Sequence, residues 1–280
     1  MPAADEDRAW IWDPTLYAGS AAYYSLGRVA YPADVVNELV TVLDLDGTGR
    51  LLDVGCGPGS LTLLLAPHFA EAIGVDADAD MLAEAARNAA AQGVRNVSWR
   101  QLRAEDLPAD LPSPQVVTFA QSFHWMDRPR VAAIVRDMLG QNGAVVHVHA
   151  TTHQGIETDA ELPYPKPPWE DVTGLVRRYL GEQQRAGQGF LPRRTGGDED
   201  AVYRAAGFVG PQRIEVPGGI ISRTVDQLVA SVYSLSSSTP HLFGTQLPAF
   251  DTDLRNLLSE SGPGGVFSEQ MRSVALDIWR

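Results

Sequence analysis

At 280 residues and 44% hydrophobic content, the chain can bury a substantial core, as one large domain or a domain with a cap. Its formal charge of −13 argues against a nucleic-acid backbone as partner, because phosphate contacts need clustered Lys and Arg. Cys56 is the only cysteine, which excludes an intrachain disulfide; with a polar, acidic opening and no apolar run of membrane-spanning length, the expectation is a cytoplasmic protein with no membrane partner.

In chain order, Ala33 to Leu43 places Val35, Val36, Leu39, Val42 and Leu43 on one face behind Pro32, which predicts a helix. Leu51 to Val54 is an apolar strand, followed by a glycine-rich turn and an apolar helix. Ile73-Gly74-Val75-Asp76 is a second short strand ending in a carboxylate. Asp78 to Gln92 is an alanine-rich helix, with Gly93 placed to close it. Gln115 to Phe119 and Ala144 to His149 read as strands, separated by a helix that Asp127 and Pro129 open and that ends near Gly140. Such alternation predicts a doubly wound α/β sheet.

After His149 the pattern changes. Residues 151–168 form a proline-rich loop, and Trp169, Val172, Leu175, Val176, Tyr179 and Leu180 then make one helical stripe. Asp198 to Ala206, closed by Gly207, predicts a helix before a strand near Ile214 to Val216. Thr224 to Tyr233 opens with a Thr-x-x-Gln capping box. The last strand is expected at Ser273 to Trp279. Helices around 169–180, 225–235 and 249–260 read as a cap over the carboxyl ends of the strands, where open sheets bind ligands. The expected division is therefore 1–150 as a ligand-binding core with an N-terminal lid segment, 151–197 and 218–262 as cap insertions, and 198–217 with 263–280 as the remaining core helix and strands.

The chemistry concentrates at Asp53-Val54-Gly55-Cys56-Gly57-Pro58-Gly59-Ser60. Glycines at alternate positions let the backbone bend sharply and approach a ligand, and the following helix points its free N–H groups at it. Asp76 lies about 20 residues on, where nucleotide-binding folds place an acid on the ribose hydroxyls. The third glycine stands one place early for the nicotinamide pattern, with Ser60 in the sixth position. No phosphate-cradling Gly-x-x-x-x-Gly-Lys sequence occurs.

With these residues the chain resembles the class I S-adenosylmethionine-dependent methyltransferases, over roughly Tyr17 to His149. LLDVGCGPGSLTLLLA is similar to their first motif, GVDADADML to the second and RAEDLP to the adenine-binding segment. VVTFAQSFHWMD and LGQNGAVVHVH are similar to the fourth-strand motif and the strand after it. Within the family, the Phe-His-Trp run resembles the ubiquinone-biosynthesis-like and trans-aconitate-methyltransferase-like groups, which act on small molecules. The resemblance implies a Rossmann-like, mostly parallel seven-stranded sheet with an antiparallel last strand. It also implies S-adenosylmethionine as cofactor, S-adenosylhomocysteine as product, and methyl transfer to oxygen, nitrogen or carbon of a small-molecule acceptor.

The cofactor's parts then assign residues. Asp76 would take the ribose hydroxyls, or serve only as a helix cap. Glu105, Asp106 and Leu107 would hold the adenine, with Ala77 and Met81 on its other face. Gly55, Cys56 and Gly57 would lie under the methionine tail, with Asp53 orienting that turn or taking the ammonium group. Cys56 fits as a small turn residue rather than a nucleophile. Arg28, in a Tyr-x-x-x-Arg element beginning at Tyr24, would meet the tail carboxylate, and Ala120 and Gln121 would line the rim after the fourth strand.

On the acceptor side, His124 is the candidate base, or a structural histidine beneath the cofactor. Trp169, Glu170, Tyr179, Tyr233, His241 and Phe243 are the candidates for an acceptor pocket, or else cap core and surface. His147, His149 and His153 stand near one another without a convincing set of metal ligands, so no metal is expected. The alternatives are a non-methylating protein that binds the same cofactor and, with less support, a nicotinamide or nucleoside enzyme on a similar sheet.

Overall fold

The structure is a computed structural model, and it describes residues 13–182 and 198–280 together with the backbone at 185–186 and 189–190. The core alternates strands and helices: β1 (Arg50–Val54), β2 (Glu71–Asp76), β3 (Val97–Gln101), β4 (Val116–Ala120) and β5 (Ala144–His149) pair in parallel. Helices α1 (Ala21–Gly27) and α2 (Asp34–Leu43) precede β1, and α3 (Ser60–Leu65) follows it. Next come α4 (Ala79–Gln92), after β2, and α5 (Arg128–Met138), between β4 and β5. Asp78 caps α4 by accepting the amides of Asp80 and Met81, and Gly93 closes it at φ 69°.

Beyond β5 lie α6 (Trp169–Leu180), the two-residue strands β6 (Arg185–Ala186) and β7 (Gly189–Phe190), α7 (Glu199–Ala205) and β8 (Gln212–Val216). They are followed by β9 (Ile220–Thr224), α8 (Val225–Tyr233), α9 (Leu247–Ser261), β10 (Val266–Gln270) and β11 (Val274–Trp279). The main sheet runs β3-β2-β1-β4-β5-β11-β8, and β11 is antiparallel to both of its neighbours. The seven-stranded, mostly parallel sheet expected from the sequence is therefore present, with the last strand lying one place in from the edge. Strand order reverses between β1 and β4, so the ligand crevice belongs at the carboxyl ends of those two strands.

Two apolar cores fill the faces of the sheet, one around Phe119, Phe123, Tyr203 and Trp279, the other around Leu39, Leu51, Leu61 and Leu276. A third core joins α6, α8 and α9 through Val176, Leu228, Phe243, Phe250 and Leu254. One sequence expectation needs correction. Residues 263–280 do not all return to the core, because β10 pairs with β9 in a separate antiparallel ribbon and only β11 enters the main sheet. Part of the expected 151–197 insertion, namely 183–184, 187–188 and 191–197, lies outside the described residues.

A buried ion pair on the β9–β10 ribbon ties the segments of the cap together and reaches the N-terminal segment. Glu269 accepts from Arg223 at 3.2 Å, from the Trp169 indole at 2.6 Å and from the Gly155 amide at 2.7 Å. Arg223 also donates to the carbonyls of Gly27, His153 and Gln227. The N-terminal segment reaches the cap at Gly27, where a Cβ would stand 2.4 Å from the Ala230 backbone. Glycine is what lets α1 lie this close to α8.

Candidate active site

The turn after β1 folds as its glycines require. Gly55 and Gly57 take φ values of 69° and 53°, and a Cβ on Gly55 would come within 2.5 Å of the Ser122 Cβ. Asp76, at the end of the adjacent β2, accepts the Gly57 amide at 2.8 Å and the Asp78 amide at 2.9 Å. Burial pushes its carboxyl up to about 6, although both amide bonds work in the other direction. Asp53 is buried and accepts the hydroxyls of Thr62 at 2.6 Å and Thr118 at 2.7 Å, so it clamps β1 to β4 and α3 beneath the turn. Burial, then the charges of Asp76 and Asp53, raise the Cys56 thiol well above its usual range, which keeps it protonated.

These residues border a cleft of about 1010 Å³, counting its open mouth. Each of the first five strands contributes the residues just past its carboxyl end: Gly55 to Gly57 after β1, Asp76 and Ala77 at β2, and Leu102 to Glu105 after β3. Gln121 and Ser122 follow β4, and Thr152 follows β5. Met81 lies in the wall, as do Tyr17, Tyr24 and Arg28 from the N-terminal segment. Arg28 sits 4.7 Å from the Tyr24 ring centre and donates to the Ser234 hydroxyl and carbonyl at 2.8 and 2.9 Å. Tyr17 packs edge-on to Trp125, and both rings line the cleft.

Asp106 and Leu107, expected at the adenine, do not border this cleft. The short 3-10 turn over Ala104–Asp106 turns Asp106 to solvent and buries Leu107 in the core, while Glu105 points inward and accepts the Asp127 amide at 2.8 Å. Leu102, Arg103 and Ala104 stand there instead. Leu16, Tyr31, Ser122, Met126 and Thr152 also border the cleft and were not singled out in the sequence, and Trp125 of the Phe-His-Trp run joins them. Their signal was positional for 102–104, 122 and 152, which follow strands at the ligand rim.

None of the six acceptor candidates borders the cleft. Tyr233 and Phe243 are buried in the cap core, where the Phe243 ring stacks on Phe250 at 4.0 Å. Tyr179 packs on Phe250 and donates its hydroxyl to Asp253. Trp169 is committed to Glu269. Glu170 is exposed in the first turn of α6, and His241 lies at the surface with its Nδ1 near the Thr239 hydroxyl and the Ala18 carbonyl.

His124 is turned away from this cleft and borders a second, more open one of about 1260 Å³, with His147, His149, Glu199 and Arg272. Gln121 borders both. Its φ of 56° is unusual for a residue other than glycine, and its amide donates to Tyr31 and Thr152. Burial lowers His124 to about 4 and His147 to about 3, so both are neutral at physiological pH. The His147 and His149 rings stack at 4.3 Å, and His153 lies apart, near Arg28. Among the described residues no group of three or more His, Cys, Asp or Glu is arranged to hold a metal ion.

A methyltransferase-domain family matches residues 51–143, which contain the glycine turn, Asp76 and the rim after β3 and β4. Residues 51–143 are thus similar to a methyltransferase domain. The chain is 29% identical over 170 residues to a probable S-adenosylmethionine-dependent methyltransferase of Saccharomyces cerevisiae, covering 59% of the chain and 57% of that protein. It is 34% identical over 132 residues to trans-aconitate 2-methyltransferase of Pseudomonas paraeruginosa, covering 46% and 42%. The chain spans about half the length of the curated relatives it matches. In fold, the chain resembles the YcgJ protein of Bacillus subtilis, with a TM-score of 0.51 at 18% identity, over 89% of this chain and 97% of that one.

Proposed function

We propose that the chain transfers a methyl group from S-adenosylmethionine to an oxygen, nitrogen or carbon of a small-molecule metabolite. The observation that carries this reading is the Asp76 carboxylate, held by two amides at the edge of the cleft where strand order reverses. The residues there fit the cofactor part by part. Each carboxylate oxygen of Asp76 keeps acceptor capacity for a ribose hydroxyl. Ala77, Met81 and Leu102 offer apolar surface to an adenine, and Arg28 supplies a cation for the tail carboxylate. The aromatic faces of Tyr17 and Trp125 suit a positively charged sulfonium.

The cofactor supplies an electrophilic methyl carbon when bound. The chain's part is to hold an acceptor in line with it and to exclude water, and positioning alone can account for most of the acceleration in a direct displacement. The net charge of −13 supports a metabolite rather than a nucleic acid as acceptor. No helix among the described residues is long and apolar enough to cross a membrane, which is compatible with work in the cytoplasm. We take the cap to comprise 151–182 and 218–272, covering the carboxyl ends of the strands.

Calorimetry with S-adenosylmethionine, S-adenosylhomocysteine and NAD, followed by transfer of labelled methyl groups to a metabolite library, tests the proposal. Binding of the first two with labelled product supports it. Binding without any labelled product favours a non-methylating use of the same cofactor, and preference for NAD overturns it.

A further inference from the structure

The second cleft lies on the same rim as the first, and the loops after β4 and β5 line both. Gln121 faces both sides, Thr152 borders the first cleft and Thr151 the second. A molecule seated in the second cleft therefore abuts the end of the cofactor cleft, at Gln121. Its floor is apolar where Val148, Ala150, Ile156 and Ala275 line it.

One imidazole there is mounted differently from its neighbours. His147 is buried and bonded through Nδ1 to Tyr203 at 3.2 Å. His149, two residues on, keeps 40% of its side chain exposed and has its Nε2 2.9 Å from Oδ2 of Asp277. Burial works to raise the Asp277 carboxyl, but its bonds to Arg213 and His149 outweigh that and hold it below the usual carboxylate range. An ionised carboxylate can only accept, so Nε2 carries a proton, and in the neutral ring the lone pair is on Nδ1. Nδ1 makes no other hydrogen bond among the described residues. Asp277 is fixed in turn by two bonds from Arg213. A buried carboxylate that sets the tautomer of a half-exposed imidazole is the arrangement a general base needs.

Resting on the methyltransferase reading, we propose that the second cleft binds the acceptor and that His149, rather than His124, is the catalytic base for an acceptor with an acidic hydroxyl, phenolic or enolic. The acceptor O–H proton moves to Nδ1 of His149. The oxygen forms its bond to the methyl carbon as the carbon–sulfur bond breaks, and that electron pair stays on sulfur as a neutral thioether. Asp277 stabilises the imidazolium, which then returns its proton to solvent. His124 borders the same cleft, but burial lowers it to about 4, which makes it a weaker proton acceptor.

The titratable and charged groups around His149 are His147 on its own strand, His124 after β4, Asp277 on β11, Arg213 and Glu215 on β8, Glu199 on α7, and Arg272 before β11. Of these, Asp277 alone bonds the ring, so replacing His149 isolates the effect.

The test uses 4-nitrophenol as probe, with the full chain saturated with S-adenosylhomocysteine. Phenolate absorbance and the imidazole resonances are read in the wild type and in His149→Gln. In the wild type the bound probe should show an increased phenolate fraction and shift the His149 resonances. His149→Gln should lose the added phenolate and bind the probe about tenfold more weakly, the scale of one charge-assisted hydrogen bond. Its affinity for S-adenosylhomocysteine and its melting temperature should stay near wild type. Equal phenolate fraction and affinity in the variant overturn the proposal, as does a probe that perturbs only Trp125 in the first cleft. If the wild type fails to bind S-adenosylhomocysteine, the methyltransferase reading falls as well. If it binds and the probe leaves His149 unmoved, this inference falls alone.

Discussion

The Gly57 amide donates to the Asp76 carboxylate at 2.8 Å, joining the turn after β1 to the end of β2. The carboxylate thus has two tasks, to shape the turn and to receive hydroxyls. Asp76→Ala should lose two charge-assisted bonds to ribose, each worth about 1.5–3 kcal/mol at most. It also frees the amides of Gly57 and Asp78, so a modest fall in melting temperature should accompany it. Calorimetry with S-adenosylhomocysteine checks the first effect, and unchanged affinity would remove Asp76 from the ribose.

The same carboxylate makes binding depend on pH. Its pKa is raised to about 6, chiefly by burial. The folded chain therefore holds this proton more tightly than the unfolded chain does. That contribution to stability is complete below the ordinary carboxyl range and is lost as pH rises through about 6. Binding has the opposite sign, since ribose hydroxyls need the ionised form. Affinity for S-adenosylhomocysteine should be flat above about pH 7 and fall by up to about tenfold per unit below 6. An affinity that does not change between pH 7 and 5 would contradict the assignment.

Phe243 and Tyr233 separate packing from binding. Both are buried in the cap core, 4% and 2% exposed, and neither borders a cleft. Phe243→Ala should cost about 3–5 kcal/mol of stability, the range for large aromatic truncations. Urea unfolding measures this. The Michaelis constant for the acceptor, taken well below the melting temperature, should change little. A large rise in that constant with unchanged stability would return these residues to the acceptor pocket.

How much of this was legible follows from what kind of signal each residue carries. The glycine turn and Asp76 were legible because backbone geometry restricts which residues can stand there, and the alternation of helix and strand placed them on one rim. The cap aromatics were visible as an apolar stripe, but a stripe does not say what covers it. Trp169, Tyr233 and Phe243 cover one another and the β9–β10 ribbon rather than a ligand. Asp106 and Glu105 are neighbours of like charge, and only the 3-10 turn decides which one points inward. His149 could be read only as a spare metal ligand until β11 brought Asp277, 128 positions away in sequence, against it.

Glu269→Ala should be the most disruptive single change outside the core sheet. It leaves the Arg223 guanidinium, 3% exposed, without its counter-charge. Removing one partner of a buried pair costs about 3–5 kcal/mol. It also frees the Trp169 indole and the Gly155 amide. Loss of cap contacts should show as proteolytic cleavage between 151 and 168 at temperatures where the wild type is intact. A variant with wild-type stability and cleavage would show that the pair is dispensable.

The order of the strands also limits how such a protein can change. The chain leaves the sheet after β5, comes back for α7 and β8, leaves again through β9 to β10, and returns once more as β11. The covering layer is thus threaded through the sheet's own margin instead of being appended to it. No single excision removes the cap and spares β8, and no single graft replaces it. New acceptor preferences are therefore more accessible through substitutions in place, at the rim loops and the segments between them, than through exchange of a ready-made module.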